Sequence, residues 1–80
     1  MRVTVEFHGV LRQLAGDERC LLELPGGTVA DALALLCRQQ PQLAERLPRV
    51  ACAIGSELVS RHHRLADDST LALIPPVSGG

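Results

Sequence analysis

Apolar and polar residues alternate from the start of the chain, Val3, Val5 and Phe7 against Thr4, Glu6 and His8. A period of two places every second side chain on one face, which predicts a half-buried strand. Gly9 interrupts it. Val10, Leu11 and Leu14 then fall at helical spacing, and Gly16 closes a short helix over Val10 to Ala15. Glu18 to Leu24 returns to strand period through Cys20, Leu22 and Leu24, and Pro25-Gly26-Gly27 supplies a turn. Thr28 reads as a helix N-cap with Asp31 three residues on, the spacing of a capping box. Val29, Ala32, Leu33, Leu36, Cys37 and Gln40 line one face of the helix that follows, with a stripe wide enough to pack across a sheet. Pro41 stops it. Leu43 and Leu47 predict a further helical turn or two, ending at Pro48.

Val50, Cys52 and Ile54 form a third strand, and Gly55-Ser56 turns into a short strand at Leu58 and Val59. Arg61 to Arg64 is a polar excursion read as a solvated loop. Leu65 re-enters the core, and Ala66 to Ser69 makes a turn. Thr70 to Ile74 is the last strand, with Leu71 and Leu73 on one face and Ala72 and Ile74 on the other. The order predicts an α+β domain: a mixed five-stranded sheet with one main helix packed across it and short additional helices. Residues 1–74 make the domain and 75–80 a flexible tail.

Composition narrows the function. Eighty residues with 46% hydrophobic content suit one small domain. A net charge of -1 offers no global field to hold nucleic acid, and Phe7, the one aromatic, gives no platform for stacking bases. No apolar run is long enough to span a membrane, and the N-terminus starts a strand directly rather than a signal peptide. Cys20, Cys37 and Cys52 are widely spaced among apolar residues, which predicts buried free thiols and no disulfide framework. A reducing cytoplasm fits. All eight basic residues are arginine, so the N-terminus is the one alkyl amine on the molecule. An activated C-terminus would find no lysine on sister chains to acylate.

No Ser-His-Asp set, paired carboxylates or phosphate loop appears, and Gly26-Gly27-Thr28 reads as a turn and a cap. Arg61-His62-His63-Arg64 is the compact basic run. Adjacent histidines do not share a face and lack a third ligand, so no metal is expected. A docking patch for an acidic partner is the alternative to the solvated loop. The chemistry lies in Pro75-Pro76-Val77-Ser78-Gly79-Gly80. Each proline fixes its own φ and biases its predecessor toward extended geometry. Gly79 and Gly80 carry no side chain to obstruct a narrow channel. The six residues reach at most roughly 20 Å, and they present a bare carboxylate.

Phe7-His8-Gly9-Val10-Leu11-Arg12-Gln13-Leu14-Ala15-Gly16, Gly27-Thr28-Val29, Ala53-Ile54-Gly55 and Ile74-Pro75-Pro76-Val77-Ser78-Gly79-Gly80 together resemble the small, sulfur-carrier subunit of molybdopterin synthase, end to end. The resemblance implies a ubiquitin-like β-grasp fold and a protein with no catalytic side chain or permanently bound cofactor of its own. An E1-like activating enzyme would use ATP to adenylate Gly80, which becomes a thiocarboxylate. Gly80 would then donate sulfur to cyclic pyranopterin monophosphate inside a large catalytic subunit, in a heterotetramer. Pro75, Pro76, Val77, Ser78 and Gly79 would thread the partners' active sites. The exposed sheet face near the tail would dock them, through Ala72 and Ile74, with Val59 and His8 as further candidates. The family often has aromatics at the positions of His8 and near Ile74, and Asn at that of Gly55, so this face is less adhesive here. Sulfur carriers of thiamine, cysteine or tRNA thiolation pathways, and a ubiquitin-like protein modifier, would use the same tail.

Overall fold

In the computed structural model, residues 1–76 are described. The chain runs β1 (Arg2–Phe7), α1 (Val10–Ala15), β2 (Arg19–Glu23), α2 (Val29–Gln39), two 3₁₀ turns (Pro41–Leu43 and Leu47–Arg49), β3 (Ala51–Ile54), β4 (Glu57–Val59) and β5 (Ser69–Ile74). The five strands form one mixed sheet in the order β2-β1-β5-β3-β4. β1 and β5 are parallel at its centre, and the other pairings are antiparallel. This is the β-grasp arrangement.

The periodicities explain the core. Val3, Val5 and Phe7 from β1, Leu22 from β2 and Leu71 and Leu73 from β5 are all buried on one face of the sheet. Against them lie Val29, Ala32, Leu33 and Leu36, the apolar stripe of α2. The helix begins where its capping chemistry dictates. The Asp31 N–H donates to Thr28 Oγ1 at 3.4 Å, and the Thr28 N–H donates to Asp31 Oδ2 at 2.9 Å. A side chain on Gly27 (φ +130°) would collide with the Asp31 carboxylate, so the cap also demands that glycine.

Three sequence expectations are corrected. Pro48 sits in the first turn of the second 3₁₀ element instead of ending a helix. Proline is accepted there because the first N–H groups of a helix have no intrahelical partner. Among the thiols, Cys52 is buried, but Cys20 and Cys37 are half-buried. The run Arg61 to Arg64 is not simply a solvated loop. Its backbone lies beside the start of α2, where the Val29 and Ala30 N–H groups donate to the carbonyls of His63 and Arg61, both at 2.9 Å. The Arg61 guanidinium donates to the carbonyls of Leu47 and Val50 at 2.8 and 3.1 Å. Arg61 therefore ties the second 3₁₀ turn to the entry of α2, while the side chains of His62, His63 and Arg64 face solvent.

Candidate functional site

The sheet face turned away from α2 is set by register. Leu58 opposes Ala53, Ala53 opposes Ala72, Ala72 opposes Glu6 and Glu6 opposes Arg19. In the next row Ile74 opposes Ala51. The β4-β3-β5 side of the face is thus apolar, with Ala51, Ala53 and Ala72 forming a low floor between Leu58 and Ile74. Leu58 is 74% exposed and Ile74 39%. Toward β1 and β2 the face turns polar. His8 Nε2 lies 3.3 Å from Glu6 Oε1, which puts His8 on this side at the polar margin. Leu21, 54% exposed and opposite Thr4, stands apart from the apolar group.

Val59 falls elsewhere. It opposes Cys52, which opposes Leu73, so it belongs to the core-side row and packs half-buried against the core. Its expected place on the outer face is taken by Leu58. The signal that locates Leu58 is the two-residue turn Gly55-Ser56, in which Gly55 has φ +62°. A hairpin with a two-residue loop pairs Ile54 with Glu57, and counting back puts Leu58 opposite Ala53.

β5 delivers this face to the base of the tail. Pro75 is half-buried and Pro76 exposed. With them Gly9, Val10, Glu45, Arg46 and Arg49 line an open cleft. Both arginines are exposed, and neither has a carboxylate partner among the described residues. Val77, Ser78, Gly79 and Gly80 lie outside the described residues. So does the expectation that Gly80 is the reactive group.

The rest of the surface offers little chemistry. Burial pushes the thiols of Cys20 and Cys52 above their ordinary range; Asp17 adds to the effect at Cys20, and Arg61 opposes it at Cys52. Protonated thiols are poor nucleophiles and poor metal ligands. Among the described residues no group of three His, Cys, Asp or Glu side chains comes together that could hold a metal ion. No helix among them is long and apolar enough to cross a membrane.

β5 thus carries an apolar face straight into the Pro75-Pro76 stem. The ThiS family model matches residues 5–80. This chain belongs to the ThiS family of ubiquitin-like sulfur carriers. Three solved structures place it among its relatives. SAMP1 from Haloferax volcanii is 26% identical over the whole of both chains, with a TM-score of 0.90. The putative molybdopterin converting factor subunit 1 from Pyrococcus furiosus is 27% identical over 96% of this chain and 99% of its own, at 0.86. A chain from the complex of subunits 1 and 2 of the molybdopterin-converting factor of Helicobacter pylori is 26% identical over the whole of both, at 0.72. The ThiS-family chain thus shares its fold, over nearly its full length, with molybdopterin-converting-factor proteins and with SAMP1.

Proposed function

We propose that this ThiS-family chain is the sulfur-donor subunit of a molybdopterin synthase, non-catalytic by itself. The similarity over nearly full length to two molybdopterin-converting-factor proteins carries the reading. The apolar face between Leu58 and Ile74, which leads to the Pro75-Pro76 stem, supports it. An E1-like activating enzyme docks on this face. The Gly80 carboxylate oxygen attacks the α-phosphorus of ATP and pyrophosphate leaves. A sulfur nucleophile displaces AMP and leaves a terminal thiocarboxylate. The large catalytic subunit, two copies with two of this chain, then receives two charged tails in turn, and each passes one sulfur to cyclic pyranopterin monophosphate to build the dithiolene. Hydrolysis restores the carboxylate. The chain contributes reach, fit and a docking face.

The test exploits the tail as a ruler. One alanine added after Gly80 moves the terminal carboxylate by up to ~3.5 Å, and a misplacement of 1 Å can cost ~10²-fold in rate. The extended chain is expected to fold, to bind both partners, and to fail in ATP–pyrophosphate exchange. Exchange at the wild-type rate, with the extra residue still present by mass, would contradict the role given to Gly80. The similarity to SAMP1, small archaeal modifier protein 1, favours a second reading as a protein modifier. High-mass conjugates in the presence of the activating enzyme, and no dithiolene product with the large subunit, would select it.

A further inference from the structure

The stem of the tail rests on the turn after β1. The parallel ladder pairs Phe7 with Leu73, so the residues that follow on the two strands, Gly9 and Pro75, leave the sheet side by side. Gly9 adopts φ 57°, ψ -135°, a conformation open to glycine and strained for any other L-residue. A Cβ at Gly9 would lie 3.0 Å from Pro75 Cγ and 3.7 Å from its Cδ, and among the described residues no other group outside its own chain neighbours comes within 4 Å. Carbon atoms in favourable contact sit about 3.5–4.0 Å apart. A side chain there would press on the proline ring, and the bare glycine leaves it room.

The seat is firmly mounted. The Arg12 N–H donates to the Gly9 carbonyl at 3.1 Å, and the Leu11 N–H donates to the His8 carbonyl at 3.2 Å. Leu11 itself is fully buried. Arg12 Nε also donates to the Phe7 carbonyl at 3.3 Å, closing the end of β1. Pro75 has no N–H with which to continue a ladder, so its direction rests on packing instead of on a backbone hydrogen bond.

We infer that Gly9 is a positioning residue for the tail: its bare backbone leaves room for the Pro75 ring and so sets the direction of the Pro75-Pro76 stem. A methyl at position 9, 3.0 Å from Pro75 Cγ, pushes the ring by a few tenths of an ångström. Where the Gly80 carboxylate is the group adenylated, as proposed above, that displacement is carried to the reacting atom.

The experiment is a double-mutant cycle between Gly9→Ala and Pro75→Ala, read by ATP–pyrophosphate exchange with the activating enzyme and by the amide NMR spectrum of the isolated chain. Gly9→Ala is expected to slow exchange by about 5- to 10-fold and to shift the Ile74 and Val77 amides. In the Pro75→Ala background, where Cγ is gone, the same substitution has a several-fold smaller effect. Equal effects in both backgrounds would mean backbone strain alone, and would overturn the inference. Should Gly9→Ala not fold, the proline side still decides. Pro75→Ala and Pro76→Ala each give up one ring and one fixed φ, but Pro75→Ala alone is expected to move the Gly9 and Val10 amides and to slow exchange more. Equal behaviour of the two would refute the seat. If wild-type chain supports no exchange at all, the assignment of Gly80 fails, and the amide shifts still decide whether Gly9 seats the stem.

Discussion

Truncation of Leu58 to Ala probes the docking face at its most exposed point. Fully burying a leucine side chain is worth roughly 1.5–3 kcal/mol. Leu58 stands 74% exposed in the free chain, so covering it with a partner recovers about 1–2 kcal/mol, or about 5- to 30-fold in affinity. The same reasoning gives Ile74, 39% exposed, about 0.6–1.2 kcal/mol. Leu58→Ala is therefore expected to weaken binding to the large subunit and the activating enzyme more than Ile74→Ala does, with melting of the free chain nearly unchanged. Val59→Ala should do the reverse, lowering the melting temperature and sparing affinity, because its side chain packs on the core side. Isothermal calorimetry with each partner, alongside thermal unfolding, reads all three. Affinities within twofold of wild type for Leu58→Ala with both partners would remove the apolar face around Leu58 from the interface. A binding loss confined to Val59→Ala would refute the face assignment itself.

Leu36, fully buried where α2 meets the sheet, should cost about 2–5 kcal/mol when cut to Ala; a melting temperature within a degree or two of wild type would contradict the packing. Deleting Gly79-Gly80 should leave thermal unfolding nearly unchanged and abolish charging by the activating enzyme, and a large drop in melting temperature would show that the tail packs. The Asp67 carboxylate accepts the Arg2 backbone N–H at 2.7 Å, and that bond holds its pKa below the ordinary aspartate value of 3.8. A lowered folded-state pKa stabilises fully above the unfolded value and fades as pH falls through the folded one. The stability gap between wild type and Asp67→Ala should accordingly narrow on acidification below pH 3.8, and a gap that widens there would contradict the bond.

The strands and α2 were legible because their signals are local. Alternation at Val3, Val5 and Phe7 and the Thr28–Asp31 cap specify their elements without help from tertiary structure. Residues whose role depends on pairing were harder to read. Val59 and Leu58 are both apolar neighbours on a three-residue strand, and only the register set by Gly55-Ser56 decides which faces solvent. Arg61 looks like a surface charge in sequence, since its carbonyl acceptors lie 11 and 14 residues away. Gly9 reads as a strand terminator. Its closeness to Pro75, 66 positions along the chain, arises only once β1 and β5 pair in parallel.

The central claim is that Gly80 carries the sulfur, and intact mass measures this most directly. The chain would be incubated with its activating enzyme, ATP and a sulfur source, then weighed whole and after a protease releases the C-terminal peptide. Replacement of one carboxylate oxygen by sulfur is expected to add about 16 Da, placed on the peptide ending at Gly80 and removed when the large subunit and its pterin substrate are supplied. An unchanged mass, with the activating enzyme shown to be active on another carrier, would contradict the account.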